Sequence, residues 1–172
     1  KKIFCFEPIK ELSKKISNKY PPQKIAISNI ALSNKKGKKF FYQYSVTSTS
    51  SLYKQKNVFK SLTDLKKTFP VETNKFDNLF NKNLKIDICK IDVQGEDYNV
   101  LLGMKKNLKN RNIKILKLEL SLISFYMNTS SNFYEILNFL KSYKYTLISI
   151  SKIKYKNEKI IFMDAYFEYG GK

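Results

Sequence analysis

The segment that decides the fold is residues 86–97, which read Ile-Asp-Ile-Cys-Lys-Ile-Asp-Val-Gln-Gly-Glu-Asp. Apolar and polar residues alternate in its first part, and a period of two is typical of a β-strand. Gly95 then provides a turn, and the apolar residues that follow recur at helical spacing: Leu101, Met104 and Leu108. The segment therefore predicts a strand, a glycine turn and a helix that ends near Asn110.

The chain before this segment also alternates between strand and helix. A short apolar run from Ile3 to Phe6 predicts a strand, and a helix is expected from Pro8 to Asn18 because proline suits the first helical turn. A second strand is predicted from Lys24 to Leu32, and an aromatic extended stretch from Lys38 to Tyr44.

The middle of the chain, from Ser45 to about Lys85, is the least regular part. Residues 45–51 form a cluster of hydroxyl side chains that predicts a flexible loop. Residues 68–73 predict an edge strand, because Pro70 lies inside them and proline is confined to sheet edges and bulges. Residues 74–80 predict a helical turn.

The C-terminal part supplies a strand from Ile113 to Leu120, a helix and a hairpin. The helix has an apolar stripe formed by Phe133, Ile136, Leu137 and Leu140. The hairpin joins Tyr145–Ile150 to Ile160–Phe167 through a polar turn. Strands that alternate with single helices predict an α/β three-layer sandwich with a mostly parallel sheet and this antiparallel hairpin at its end. At 172 residues we expect one domain over residues 1–172.

The charge of the chain is strongly positive, with a formal net charge of +19. The excess is lysine, since Arg111 is the only arginine, and the lysines are dispersed along the chain. Residues with AT-rich codons are also abundant, so genome composition explains the lysine excess as well as selection for a partner does. We therefore expect no nucleic-acid partner, although a basic α/β nucleic-acid-binding module stays an alternative. No apolar run is long enough to predict a membrane span.

The two cysteines and the absence of histidine limit the chemistry. Cys5 and Cys89 each lie in an apolar strand-like run, which favours buried, reduced thiols and a cytoplasmic location. The chain has no histidine, so we expect no zinc site, and proton transfer falls to Asp, Glu, Lys or Tyr.

Carboxylates follow several of the predicted strands. Glu7 follows the first strand, Asp92 and Glu96 follow the central one, and Glu119 lies near the end of the next. Each one alone is also explained as a helix cap or a hydrogen-bonded loop acid. Ligands of open α/β sheets bind beyond the carboxyl ends of the strands, so these acids are candidate site residues. Glu7 has two acceptor oxygens, which suit the two hydroxyl groups of a ribose.

The order of motifs resembles that of the FkbM methyltransferase family, whose central pattern is similar to K-I-D-V-E-G-x-E-x-x-V-L-x-G. The chain keeps this pattern in residues 90–103, with glutamine at Gln94 and aspartate at Asp97. The other matching segments are Phe6-Glu7-Pro8, Ser28-Asn29-Ile30-Ala31-Leu32-Ser33 with Gly37, Ser50-Ser51, and Lys117-Leu118-Glu119-Leu120.

The resemblance implies a Rossmann-like class I methyltransferase that uses S-adenosylmethionine and transfers a methyl group to an oxygen, often a hydroxyl of a saccharide or natural product. Glu7 would bind the ribose hydroxyls, with Asn29 and Ala31 near the adenine. Asp92 would lie at both the cofactor and the reaction rim, with Glu96 as a second catalytic residue. Ser50, Ser51 and Glu119 would belong to the acceptor side. Asp92 would either accept a proton or hold a divalent cation, and the two options stay open.

One departure from the family pattern concerns the glycine-rich turn, similar to D-x-G-A-N-x-G, that precedes the strand ending in Glu7. The five glycines of this chain all lie elsewhere, at positions 37, 95, 103, 170 and 171. We therefore expect an N-terminally incomplete chain without the first strand and its turn. A catalytically silent binding domain of the same fold remains an alternative, and a nucleotide-dependent oxidoreductase is less favoured because its phosphate-binding glycines are absent. Acceptor, metal requirement and oligomeric state stay open.

Overall fold

The structure is a computed structural model that describes residues 2–56, 63–80, 84–129 and 133–170. Within these described residues nine strands form three sheets, of which the first pairs β1 with β2, the second has the order β3-β5-β4 and the third the order β6-β7-β9-β8. The strands are β1 Ile3–Phe6, β2 Ile25–Ser28, β3 Ala31–Leu32, β4 Gly37–Tyr44, β5 Leu65–Asn74, β6 Ile86–Ile91, β7 Ile113–Ser121, β8 Tyr145–Lys156 and β9 Lys159–Tyr169. The helices are α1 Lys10–Lys19, α2 Phe76–Leu79, α3 Asp97–Leu102, α4 Lys105–Lys109 and α5 Phe133–Ser142, with a 3₁₀ turn at Thr47–Thr49.

The first sheet is a β-α-β unit. Strands β1 and β2 run parallel, with Ile3 opposite Ile25 and Phe6 opposite Ser28, and α1 connects them. This is the strand-helix-strand order that the sequence predicts. Because parallel strands end at the same edge, the residues that follow β1 and β2 are brought side by side.

The second sheet differs from the prediction in two ways. The strand predicted over Lys24–Leu32 is split, because β2 pairs with β1 while β3 pairs with Thr73–Asn74 of β5. Strand β5 is also central in the order β3-β5-β4 and not an edge strand over its whole length, although the predicted edge position holds for residues 68–72, which β3 does not cover. Pro70 is tolerated there because β3 covers only the end of β5, and Pro70 lies opposite Phe40 of β4 on the other side.

The third sheet carries the large core. Apolar residues of α3, α4, α5, β7, β9 and the short segment between α3 and α4 are almost fully buried, among them Leu101, Met104, Leu108, Leu116, Leu118, Leu120, Leu140 and Phe167. Each such side chain contributes about 1.5–3 kcal/mol to the stability of the fold, because its burial removes apolar surface from water. This core holds β6 and β7 parallel to each other, with Ile91 opposite Leu118.

The hairpin of β8 and β9 confirms the predicted C-terminal hairpin and is longer than expected. Its two-residue turn places Asn157 and Glu158 at φ of 48° and 63°, the left-handed pair that type I′ turns require. Strand β9 then lies between β7 and β8 and runs antiparallel to both.

The α/β class is confirmed, whereas the mostly parallel sheet is not found. Among the described residues β1–β2, β3–β5 and β6–β7 are parallel, and β4–β5, β7–β9 and β8–β9 are antiparallel. The sheets are therefore mixed. A two-residue turn joins β8 to β9, whereas β4 and β5 pair although residues 45–64 separate them in sequence. Over the same residues no helix has the length and apolar character needed to cross a membrane.

The single predicted helix after Gly95 is two helices that meet at Gly103. The backbone of Gly103 is helical, yet a β-carbon there would overlap the main-chain carbonyl oxygen of Ser33. Gly103 thus allows the end of α3 to lie directly against the segment after β3, which a side chain would prevent.

Gly103→Ala should lower the free energy of unfolding by about 2–3 kcal/mol, because a backbone oxygen cannot rotate away from the added methyl group. Gly37→Ala is the matched control, since the nearest atom to its β-carbon would be Thr73 Oγ1 at 4.0 Å. Urea unfolding of both variants measures the difference. Equal losses at the two positions would contradict the close approach at Gly103.

Candidate functional site

The turn after β6 places two consecutive residues in the left-handed region. Gln94 has φ of 53° and Gly95 has φ of 96°. A β-carbon on Gly95 would lie 2.8 Å from Thr129 Cγ2 and 3.3 Å from a ring carbon of Tyr126. The turn therefore needs glycine at this position, both for its backbone angle and for its close packing against residues 126–129.

Asp97 holds this turn from the first residue of α3. Its Oδ2 accepts a hydrogen bond from the Gly95 amide at 3.1 Å, and its Oδ1 lies 3.5 Å from the Val93 amide. Burial raises the pKa of Asp97 to about 7, against the lowering effect of these backbone donors. Asp97 is the last acidic residue of the central motif, and its hydrogen bonds close the turn between β6 and α3.

Gln94 connects Asp92, which follows β6, with Glu119, which lies near the end of β7. Its Nε2 donates to Asp92 Oδ1 at 2.9 Å and to Glu119 Oε2 at 3.1 Å. Because β6 and β7 are parallel, Asp92 and Glu119 lie at the same sheet edge, the position where open α/β sheets bind ligands. The structure therefore brings Asp92 and Glu119 together through one carboxamide.

The two acids have different electrostatic surroundings. Asp92 Oδ2 forms an ion pair with Lys90 at 2.9 Å, and its side chain remains partly exposed. Burial raises the pKa of Glu119, and the negative charge of Asp92 raises that pKa further, while the hydrogen bond from Gln94 lowers it. The Lys90 ammonium group therefore compensates the charge of Asp92 directly, whereas Glu119 accepts a hydrogen bond from the uncharged amide of Gln94.

A loop formed by residues 45–56 lies over this edge and is tied to it. The Ser51 hydroxyl donates to the carbonyl oxygen of Gln94 at 2.6 Å, and Ser50 Oγ accepts from the Tyr44 amide at 3.1 Å. The Tyr126 hydroxyl lies 2.7 Å from Gln94 Oε1 and 2.9 Å from the Thr49 carbonyl oxygen. The loop predicted to be flexible is thus anchored at Ser51 and Thr49.

A cleft opens between this turn, the end of β7 and the loop of residues 121–129. Its lining includes Gln94, Asp97, Glu119, Ser121 and Tyr126. It offers about 40 Å³ to water-sized molecules, which is space for a few waters and far below the volume of a cofactor site. Any larger ligand at this edge must extend beyond the cleft.

Glu96 faces a different part of the molecule from Asp92. Its carboxylate is only 1% exposed and accepts from Lys39 Nζ at 2.6 Å and from Asn99 Nδ2 at 3.1 Å, with the Ser33 hydroxyl as a third donor. Its oxygens are therefore engaged between β4, α3 and the segment after β3. The catalytic role expected of Glu96 stays a prediction.

Glu7 and Asn29 form a second group, at the ends of β1 and β2. Asn29 Nδ2 donates to the carbonyl oxygens of Glu7 and Pro8 at 2.8 and 3.0 Å, and Glu7 Oε1 accepts from the Ile9 amide at 2.7 Å. Burial raises the pKa of Glu7. Ala31 is buried in a small apolar core with Ile9 and Phe41, and its expected place near the adenine stays a prediction.

Several residues that shape the site were not predicted from the sequence: Gln94, Asp97, Tyr126 and Lys39. The central motif contains Gln94 and Asp97, so the signal was present for those two. Lys39 and Tyr126 lie far from the motif in sequence and carry no local signal.

Over the residues that the structure describes, no group of three or more His, Cys, Asp or Glu side chains is arranged to hold a metal ion.

Comparisons with known proteins agree with the motif order. Residues 1–147 match the family model described as the methyltransferase FkbM domain. The fold is similar to that of the crystal structure of methyltransferase FkbM from Methylobacillus flagellatus KT, with a TM-score of 0.53 and 9% sequence identity. That match covers 96% of this chain, and this chain spans 36% of the other. None of the curated proteins compared with the chain matches it.

Lys39→Met should lower the free energy of unfolding by on the order of 3 kcal/mol, because it leaves the Glu96 carboxylate buried without its cation. The neighbouring lysine provides the matched control. Lys38 pairs with Glu72 at 3.3 Å on the surface, so Lys38→Met should cost less than about 1 kcal/mol. Urea unfolding of the two variants tests this, and a loss at Lys39 no larger than that at Lys38 would show that the pair does not hold the second sheet to α3.

Proposed function

Because the chain belongs to the FkbM methyltransferase family, whose domain model matches residues 1–147, we propose that it takes part in methyl transfer from S-adenosylmethionine to an oxygen acceptor. The acceptor is a hydroxyl of a saccharide or of another natural product. The observation that carries the proposal is the pair of Asp92 and Glu119, which Gln94 joins at the carboxyl ends of β6 and β7. This is the edge at which such sheets bind their ligands.

The end of β1 fits the adenosine part of the cofactor. The half-buried carboxylate of Glu7 uses one hydrogen bond for the Ile9 amide, and a carboxylate has about four lone-pair sites, so acceptor capacity remains for a ribose diol. Asn29 is held by its amide nitrogen, which leaves its amide oxygen to face an adenine edge. When bound, S-adenosylmethionine supplies a methyl group that its sulfonium charge already activates.

Asp92 is the residue that we propose as proton acceptor for the attacking hydroxyl. Lys90 and Gln94 hold its two oxygens in place, and its side chain is accessible from solvent. A correctly placed base of this kind contributes about 10²–10⁴-fold to a rate. Ser50, Ser51 and Glu119 belong to the acceptor side, because the loop of residues 45–56 closes over the same edge.

The cofactor site that we propose includes a further strand with a glycine-rich turn. Among the described residues β1 pairs with β2 alone and β6 pairs with β7 alone, so each presents an open edge. Apolar side chains are exposed there, with Ile88 of β6 at 61% and Ile3 and Phe4 of β1 also exposed. A parallel strand between β1 and β6 would satisfy both edges and bring backbone amides to the cofactor.

We place the protein in the cytoplasm on the basis of its thiols. Cys5 lies in β1 and Cys89 in β6, and neither forms a disulfide. Burial raises the pKa of both thiols, which keeps them in the unreactive protonated form.

Two substitutions in the protein as its gene encodes it should separate binding from chemistry. Glu7→Gln should weaken the affinity for S-adenosylmethionine by about tenfold, because it removes one charged acceptor from the ribose. Asp92→Asn should lower methyl transfer by at least about 100-fold while the affinity changes less than about twofold. Calorimetry with S-adenosylmethionine and formation of S-adenosylhomocysteine with a panel of saccharides measure the two effects.

Glu11→Gln is the matched control, since it makes the same chemical change on the exposed side of α1. It should leave both measurements unchanged. Unaltered turnover in Asp92→Asn would exclude Asp92 as the base, and unaltered affinity in Glu7→Gln would exclude the ribose contact.

A further inference from the structure

We propose that Gln94 is the positioning residue of this site and that its carboxamide takes the place of a divalent cation between Asp92 and Glu119. The consequence for methyl transfer rests on the proposed function, whereas the structural claim does not. Its basis is the hydrogen-bond geometry around one side chain. A divalent cation between two carboxylates fixes both by attraction, and here a doubly donating amide does so instead.

The orientation of the Gln94 amide is determined by its partners. A carboxamide has two N–H donors on nitrogen and an acceptor oxygen. Both N–H groups point to carboxylates, at 2.9 Å for Asp92 and 3.1 Å for Glu119, and Oε1 accepts from the Tyr126 hydroxyl at 2.7 Å. The opposite orientation would place the amide oxygen against two negatively charged groups, so this one is strongly favoured.

The two nearby lysines, Lys90 and Lys117, pair with other carboxylate oxygens and do not bridge Asp92 and Glu119. Lys90 pairs with the other oxygen of Asp92 at 2.9 Å, and Lys117 pairs with Asp164 at 2.6 Å on the neighbouring strands. Burial raises the pKa of Glu119, the negative charge of Asp92 raises it further, and the hydrogen bond from Gln94 opposes both effects. The amide is therefore the group that lets Asp92 and Glu119 lie side by side.

The backbone of Gln94 is fixed as firmly as its side chain. The residue is left-handed at φ of 53°, a conformation that costs a side-chain-bearing residue energy. The Ser51 hydroxyl donates to its carbonyl oxygen at 2.6 Å, and the Tyr126 hydroxyl that lies against its amide is also 2.9 Å from the Thr49 carbonyl oxygen. The bridge between the two acids is thus coupled to the loop over the site.

Glutamate has the same shape as glutamine and reverses the chemistry. In Gln94→Glu the two donors become acceptors, and three carboxylates meet where two were joined. Hard cations such as Mg²⁺ and Mn²⁺ prefer oxygen ligands of this kind. The variant should therefore be destabilised on its own and should bind a divalent cation that the natural chain does not need.

Thermal unfolding of the 172-residue chain tests this without an activity assay. In EDTA, Gln94→Glu should unfold at least about 5 °C below the natural chain, and about 1 mM MnCl₂ should recover most of that shift. The natural chain should move by less than about 1 °C on addition of manganese. Gln23→Glu is the matched control, because it adds the same charge at an exposed position, and it should respond like the natural chain.

A second variant keeps the test decisive if Gln94→Glu does not fold even with manganese. Gln94→Glu combined with Glu119→Gln returns the number of carboxylates to two, and the amide at position 119 can donate to the new carboxylate at position 94. It should recover stability and lose the manganese response. A natural chain that manganese stabilises as much as Gln94→Glu would overturn the proposal, as would a Gln94→Glu variant that is neither destabilised nor responsive. The proposal would also be overturned if Gln94→Glu does not fold and the double variant does not recover stability.

The cation response and the enzymatic tests can fail separately. A manganese-dependent Gln94→Glu variant in a protein without methyl transfer would keep the positioning geometry and remove the proposed function. Methyl transfer with no manganese response in Gln94→Glu would keep the function and remove the role of Gln94.

Discussion

The Glu96 carboxylate must be matched by donors wherever the chain places it, because a charge that is 1% exposed is costly without them. Its donors come from β4, from α3 and from the segment after β3. Strands β3 and β4 are part of the second sheet, whereas Glu96 and α3 directly follow β6 of the third sheet. The ion pair between Lys39 and Glu96 therefore fixes the second sheet against the third. Ser33 also lies against Gly103, and the loop of residues 45–56 continues from β4. The position of that loop over the site therefore depends on a carboxylate that does not face the site.

In the turn after β6, the amide of Gln94 offsets the repulsion between two carboxylates that the strand pairing brings together. Parallel strands bring Asp92 and Glu119 to one edge, where like charges repel. Asp97 closes the turn from one side, Ser51 and Tyr126 hold it from the other, and the amide of Gln94 lies between the two acids. Asp92 gains a fixed orientation with an oxygen near solvent, which is what a proton acceptor for a hydroxyl requires. The same contacts leave a cleft for only a few waters, so an acceptor molecule must bind partly outside it.

The sequence predicted best what depends on neighbouring residues. The periodicity of α1, β7 and α5 and the polar turn of the β8–β9 hairpin are local signals, and these elements were confirmed. The break between α3 and α4 was missed because its cause is the approach of Ser33, which is remote in sequence. The mostly parallel sheet was wrong because the place of β9 between β7 and β8 depends on pairing over long distances. The candidate acids Asp92 and Glu119 were identified from strand ends, whereas Lys39 and Tyr126 had no pattern that could reveal them.

Gln94 shows why a motif alone does not define a site. A motif comparison treats glutamine and glutamate as near equivalents, since they share size and shape. At this position they are opposites, because one donates two hydrogen bonds to flanking carboxylates and the other would add a third negative charge. Which applies depends on whether Glu119, 25 residues later in the chain, is within reach of the side chain, and only the pairing of β6 with β7 decides that. The family pattern thus locates the turn, while the neighbouring strand determines what its side chain does.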